Sequence, residues 1–127
     1  MNAKQLQAKL EQFRLEDNFY NSHQCGDIDI TDGVKFLCEQ LKSYLLVDIV
    51  KAFQNDLKVG KEPLQLYNLT VDKKKNVGIV KCLDSNHKIL KYQEIKDINI
   101  PLEKVRLYFT DNLVLLPSEY INEGIEY

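Results

Sequence analysis

The segment Asp27-Ile28-Asp29-Ile30-Thr31-Asp32-Gly33 sets three carboxylates within six positions, and it is the acidic cluster that invites a chemical reading. Hard cations take such oxygen ligands, and a bound magnesium can activate water for hydrolysis. A calcium loop needs glycine at its sixth position and glutamate at its twelfth. Counted from Asp27, those places hold Asp32 and Cys38, so that pattern fails. The alternation with Ile28 and Ile30 also suits a short strand with Asp27 and Asp29 turned to solvent. A metal-dependent hydrolase using Asp27, Asp29 and Asp32 is therefore the enzymatic alternative, not the leading expectation.

His23-Gln24-Cys25 brings an imidazole and a thiol close in sequence. Residues two apart need a special loop to work as base and nucleophile. Zinc wants four ligands, usually in spaced pairs, and Cys38, Cys82 and His87 lie far along the chain. No Gly-x-Ser-x-Gly elbow or phosphate-cradling glycine loop occurs. The expectation is a protein without catalytic residues, metal or cofactor. Its odd count of three cysteines reads as free thiols in a reducing compartment.

Charge is more suggestive. Residues 58–96 hold nine lysines against four acidic residues, while the whole chain carries a formal charge of −2. Lys73, Lys74 and Lys75 form the tip of a predicted hairpin. Lys88 and Lys91 become neighbours if their strand pairs with it, and Tyr92 and Tyr108 offer aromatic anchors. These seven residues are the expected partner-binding set. Such a patch suits RNA backbone or an acidic protein surface, although lysines also protect edge strands from aggregation. Only Arg14 and Arg106 are arginines, and lysine is the poorer reader of bases. Weak or no binding to free nucleic acid is therefore expected. A nucleic-acid-binding regulator using the lysines of 58–96 is the second alternative.

The elements that position these residues follow from periodicity. A chain of 127 residues suits one domain. No window approaches the roughly 18–20 apolar residues of a membrane helix, and the polar start is not a secretory signal. A cytoplasmic, membrane-free setting is expected. Ala3, Leu6, Leu10 and Phe13 share a face and predict a helix over 2–13, followed by a loop over 14–29 pinned by Phe19 and Tyr20. A helical pattern over 32–54 starts at a polar cap and breaks at Lys42-Ser43. The period then becomes alternating. Strands are predicted at 64–71, 77–83, 88–95, 105–109 and 113–116, and Pro101 suits 97–103 to a sheet edge or a connection.

Segregated helices and strands argue for an α+β domain, with N-terminal helices packed on a four- to five-stranded antiparallel meander sheet. The helical part is residues 1–57, the sheet part 63–117, and 119–127 a loosely held tail. The expected core is Leu6, Leu10, Phe13, Val34, Leu37, Leu41, Leu46, Ile49, Phe53, Leu66, Leu69, Ile79, Val105, Leu107 and Phe109.

Two stretches carry a resemblance: Thr31-Asp32-Gly33-Val34-Lys35-Phe36-Leu37, and Leu102-Glu103-Lys104-Val105-Arg106-Leu107-Tyr108 running on to Leu115-Leu116-Pro117-Ser118-Glu119-Tyr120. With Phe13 and Tyr20 upstream and residues 45–49 between, the chain resembles a family of small uncharacterised bacterial, phage and plasmid proteins. It departs from that pattern at Lys42-Ser43 and in having no tryptophan near Tyr44. The resemblance brings no catalytic residues. It implies a mobile-element protein that binds a host machine, and inhibitors of RNA-guided nucleases (anti-CRISPR proteins) are one such class. The expected partner is a host or mobile-element protein such as a guide-RNA-bound Cas nuclease.

Overall fold

A computed structural model describes residues 2–14 and 22–120. Phe19 and Tyr20 lie outside the described residues. Helix α1 (Ala3–Leu10) begins at Asn2, whose side chain accepts from the Gln5 N–H while the Gln5 side chain accepts from the Asn2 N–H. This reciprocal cap satisfies two groups that the helix itself leaves without partners. Helix α2 (Asp32–Leu41) ends where Lys42 turns left-handed at φ 55°, and α3 (Leu45–Phe53) starts anew after it. Ser43 helps both ends: its N–H donates to the Cys38 carbonyl, and its hydroxyl accepts from the Leu45 N–H. The expected break is thus present. A short α4 (Leu57–Gly60), capped by Asp56, follows in a stretch with no helical signal of its own.

The strands are β1 (Ser22–Cys25), β2 (Ile28–Thr31), β3 (Leu64–Asp72), β4 (Val77–Leu83), β5 (Ile89–Lys96), β6 (Lys104–Thr110) and β7 (Leu113–Leu115). They form one seven-stranded sheet in the order β1-β2-β7-β6-β3-β4-β5. The α+β class stands, but the meander of four or five antiparallel strands does not. β1 and the first half of β2 arise inside the expected 14–29 loop, where Gly26 at φ 68° makes the turn of a hairpin. That hairpin joins the sheet through a parallel pairing of β2 with β7. The Asp/Ile alternation marks β2, but β1 is too short to show a period, and a parallel contact across some 80 residues leaves no local mark.

Residues 97–103 form a connection rather than a strand. It buries Ile98 and Leu102 and delivers β6 beside β3 instead of beside β5. The Ile98 N–H donates to the Asn76 carbonyl and the Glu103 carbonyl accepts from the Val71 N–H, which fixes its two ends. Thr110 and Leu113 then close β6 and β7 through Asp111 and Asn112, both left-handed as a two-residue hairpin turn requires.

Helices α2 and α3 cover one face of the sheet. Gln65, Tyr67, Leu69 and Val71 of β3, Val80 and Cys82 of β4, and Val105, Leu107 and Phe109 of β6 point toward them and are buried. Two expected core residues therefore belong elsewhere. Leu66 lies on the opposite face from Leu69, because residues an odd number apart in a strand cannot share a side. Ile79 is 38% exposed on that same outer face, and Val80 and Cys82 take its place inside. Phe13 and Leu41 pack at the margin of the core, half-buried, with the Phe13 ring 5.3 Å from that of Phe36.

The expected tail also needs correction, since its first two residues end helix α5 (Pro117–Tyr120). Glu119 is 1% exposed. Its Oε1 accepts from the Thr31 hydroxyl at 2.6 Å and the Leu116 N–H at 2.9 Å, and its Oε2 accepts from the Gly33 N–H at 3.2 Å. The Thr31 oxygen meanwhile accepts from the Val34 N–H as the cap of α2. A buried carboxylate thus sits on the positive end of α2 with its charge met by donors. Gly33 is required there: a Cβ would stand 2.6 Å from Leu116 Cδ1 and 2.7 Å from Glu119 Oε1.

Leu37 and Leu107 are both buried. Their truncation to Ala should cost about 2–5 kcal/mol each, and Ile79→Ala should stay within about 0.5 kcal/mol. Denaturant midpoints would check this, and an unmoved Leu107→Ala midpoint would contradict the face assignment. Glu119→Ala should cost about 3 kcal/mol by orphaning buried donors, and Gly33→Ala about 1–3 kcal/mol by overpacking. A native thermal midpoint in Glu119→Ala would refute the lock.

Candidate functional site

The acidic cluster does not converge. Asp27 lies in the β1–β2 turn, Asp29 on β2, and Asp32 opens α2, where its Oδ1 lies 2.6 Å from His23 Nε2. Among the described residues no three His, Cys, Asp or Glu side chains stand together as a metal site. His23 is thus turned to Asp32, and His23 and Cys25 share the helix-facing side of β1, opposite Ile30 and Ile28.

The seven expected partner-binding residues are dispersed. Lys73, Lys74 and Lys75 crown the β3–β4 hairpin, whose turn is closed by Asp72 accepting from the Lys74 and Lys75 N–H groups. Lys73 Nζ donates to the Pro101 carbonyl at 2.7 Å, so it leans toward the 97–103 connection. Lys88 sits at the other end of β4, about 20 Å away by strand rise. Lys91 points to the helical side: its Nζ is 5.3 Å from the Phe53 ring centre and 3.5 Å from Asp56 Oδ2. The Val59 and Lys58 N–H groups, with Lys91 beside them, hold the Asp56 carboxyl below its ordinary range. Lys91 therefore has a structural partner at the α4 cap.

Tyr92 and Tyr108 lie on the outer sheet face, and there the structure assembles something the lysine count missed. The registers Tyr92↔Lys81, Lys81↔Asn68 and Asn68↔Arg106 place these four residues in one row across β5, β4, β3 and β6. By strand spacing the row spans about 14 Å. The next row holds Leu83, Leu66, Tyr108 and Leu115, with the Tyr120 ring edge-on to Tyr108 at 5.0 Å. On the other side lie Glu94, Ile79, Thr70 and Lys104. Tyr92 is 69% exposed, whereas Leu83 and Leu115 on the same face are buried. Among the described residues no ion pair engages Lys81, Lys96, Lys104 or Arg106.

The outward phase of Arg106 and Tyr108 is legible in the alternation of β6. In β4 the expected inward Ile79 would turn Lys81 inward as well, and it is the burial of Val80 and Cys82 that sets Lys81 on the outer face. What no local pattern reveals is that β3 lies between those strands and sets them in line.

The helical side carries a buried polar network. The Tyr67 hydroxyl donates to Gln65 Oε1 at 2.6 Å, Gln54 Nε2 reaches both Gln65 Oε1 and the Tyr67 oxygen, and Gln65 Nε2 donates to the Val59 carbonyl. Every buried side-chain polar atom among the described residues finds a partner, so this network serves to pin the α3–α4 corner to β3. Burial drives the Cys38 thiol up to about 12, with Cys25, Asp48 and Glu39 adding to it. Burial likewise takes Cys82 to about 11 and raises the Tyr67 phenol. Cys38 and Cys82 both pack in the hydrophobic core.

A family model described as a family of unknown function, DUF6876, matches residues 4–120, which takes in both the Thr31–Gly33 and the Leu116–Glu119 halves of the lock. The chain belongs to the DUF6876 family. No characterised protein and no solved structure matches it. No described helix is long and apolar enough to cross a membrane.

The raised thiols make a pH prediction. Their folded values lie above the ordinary 9.0, so the folded state holds its protons more tightly. Stability is then unaffected below pH 9.0 and falls as pH rises toward 11 to 12. Thermal midpoints of the wild type should decline across this window, and the Cys38→Ala/Cys82→Ala variant should decline less steeply. Identical slopes would contradict the assignment.

Proposed function

We propose that the protein is a binding protein without chemistry of its own, which sets the outer face of its sheet against an anionic partner. The row Tyr92–Lys81–Asn68–Arg106 carries this reading. An exposed tyrosine offers large contact area at small entropy cost, and rigidly spaced cations steer encounter with a negative surface. The apolar row behind it, with Leu66 and Tyr108, gives that surface somewhere to bury. Lys74 and Lys75 extend the positive field from the hairpin tip.

The partner class that suits this face is a nucleoprotein, which presents phosphate and acidic protein together. A guide-RNA-bound nuclease of host defence is the form that the resemblance to mobile-element proteins favours, and blocking it needs only surface contact. The free thiols support a reducing, cytoplasmic setting. The hydrolase alternative finds less support, because Asp27, Asp29 and Asp32 occupy three different elements. Few arginines argue against a free-standing nucleic-acid binder.

The test is co-purification from a host expressing an RNA-guided nuclease, with Lys81→Glu/Arg106→Glu compared against Lys73→Glu/Lys74→Glu/Lys75→Glu. Wild type should recover the nuclease with its guide, the outer-face variant should lose it, and the hairpin variant should weaken it. Mobility shift with naked single-stranded RNA at physiological salt should show no complex. Tight RNA binding that weakens by about one log–log unit per phosphate neutralised would instead identify a nucleic-acid regulator.

A further inference from the structure

Among the described residues the sheet is incomplete along half of β6. β3 pairs with Lys104 through Thr110, but β7 pairs only with Tyr108, Phe109 and Thr110. Among the described residues, Lys104 to Leu107 have a strand neighbour on one side alone. In an antiparallel ladder each residue turns both its N–H and its C=O to one side, and the sides alternate. The Glu103 carbonyl accepts from Val71 N–H, which puts Glu103, Val105 and Leu107 toward β3. The two-residue hairpin closing at Thr110 and Leu113 requires the same phase. The backbone groups of Lys104 and Arg106 therefore face away from the sheet.

What they face is a groove of about 650 Å³ between β6 and α1, with Leu116, Pro117 and Ser118 at its end. Its cations are Lys4, Lys73, Lys104 and Arg106, against Glu11 and Glu103. None of the four joins an ion pair among the described residues, and Lys73 is held at the rim by its bond to the Pro101 carbonyl. This local excess of positive charge stands on a chain of net charge −2.

We infer that this groove is a docking site for an extended acidic peptide, which adds a strand to β6 beside Lys104 and Arg106. Strand addition fits because the free edge offers donors and acceptors in alternation, the pattern of a peptide backbone. Nucleic acid has no such backbone and would leave the edge carbonyls unmatched. Four β6 residues span about 13 Å, which sets the docked segment at four to five residues. Alternate carboxylates on one side of that segment would meet Lys104 and Arg106, and Lys4 would meet the side facing α1. The inference shares Arg106 with the outer-face row but does not rest on that reading, since the open β6 edge, Lys4 and Lys73 belong to the groove alone.

The experiment uses the full chain and a fluorescein-labelled hexapeptide of alternating Glu and Val, read by fluorescence anisotropy at low salt. Two further peptides carry N-methyl groups on the odd or the even residues. The parent peptide should bind, and the corresponding Lys-Val peptide should not. One N-methylated peptide should bind roughly tenfold more weakly, because it loses its ladder hydrogen bonds, and the other should bind as the parent does. Lys4→Glu/Lys73→Glu, with both sites exposed and circular dichroism confirming the fold, should also weaken binding about tenfold. Lys81→Glu should leave it unchanged, which separates failure here from failure of the outer face. Equal binding of both N-methylated peptides would reduce the contact to charge alone and overturn strand addition. No binding of the parent peptide, or its displacement by a single-stranded RNA oligomer at lower concentration, would overturn the peptide assignment.

Discussion

The fold turns on one carboxylate. Glu119 sits at the end of the described chain, yet it takes the hydroxyl of Thr31 and the N–H of Gly33 some 86 residues earlier. A charge buried this deeply is tolerable only when donors converge on it and a positive helix end faces it, and α2 supplies both. The same carboxylate accepts from Leu116 N–H, so it also shapes its own turn. Through it the start of α2, the end of β7 and the short α5 become one unit, and β2 is carried into the sheet beside β7. Without that junction the β1–β2 hairpin would be an isolated ribbon, which is marginal in water.

Once β2 and β7 are joined, the sheet acquires its asymmetry. The helices cover one face, and the Gln54, Gln65 and Tyr67 network fastens the α3–α4 corner over β3. On the other face Tyr92 and Ile79 are exposed, and the Tyr120 ring of α5 packs against Tyr108. A sheet with one face wet normally alternates apolar and polar residues. Here the wet face keeps Leu66, Ile79, Tyr92 and Tyr108 among its cations, more apolar surface than solvation requires. That combination is the physical basis for reading it as a contact surface.

The short β7 has a second consequence. Because it covers only part of β6, it leaves a strand edge open beside α1 among the described residues, and the cations of β6 border both that groove and the outer face. Open edges invite pairing, and proteins usually blunt them with charge. In this chain the charge at the edge is positive and held near a groove wall, so it selects an acidic strand as readily as it repels a second copy of itself. Face and groove meet at Lys104 and Arg106, which allows one partner to use both.

The sequence by itself determined the local elements. The cap at Thr31-Asp32, the break at Lys42-Ser43, the alternation of β6 and the turn after Thr110 all follow from backbone and side-chain chemistry within a few residues. The α+β class follows from their order. Tertiary structure alone decided the sheet order, the placement of β1 and β2, and the burial of Glu119, because each depends on contacts between distant segments that leave no period in the chain. The candidate site divides in the same way. Tyr92 and Tyr108 stand out as anchors, and the alternation of β6 turns Arg106 outward, but lysine counting favoured Lys88 and Lys91, one at the far end of β4 and one on the helical side. Only the insertion of β3 between β4 and β6 lines up Lys81, Asn68 and Arg106, since strand neighbours are chosen by the packing of the whole core and not by proximity in sequence.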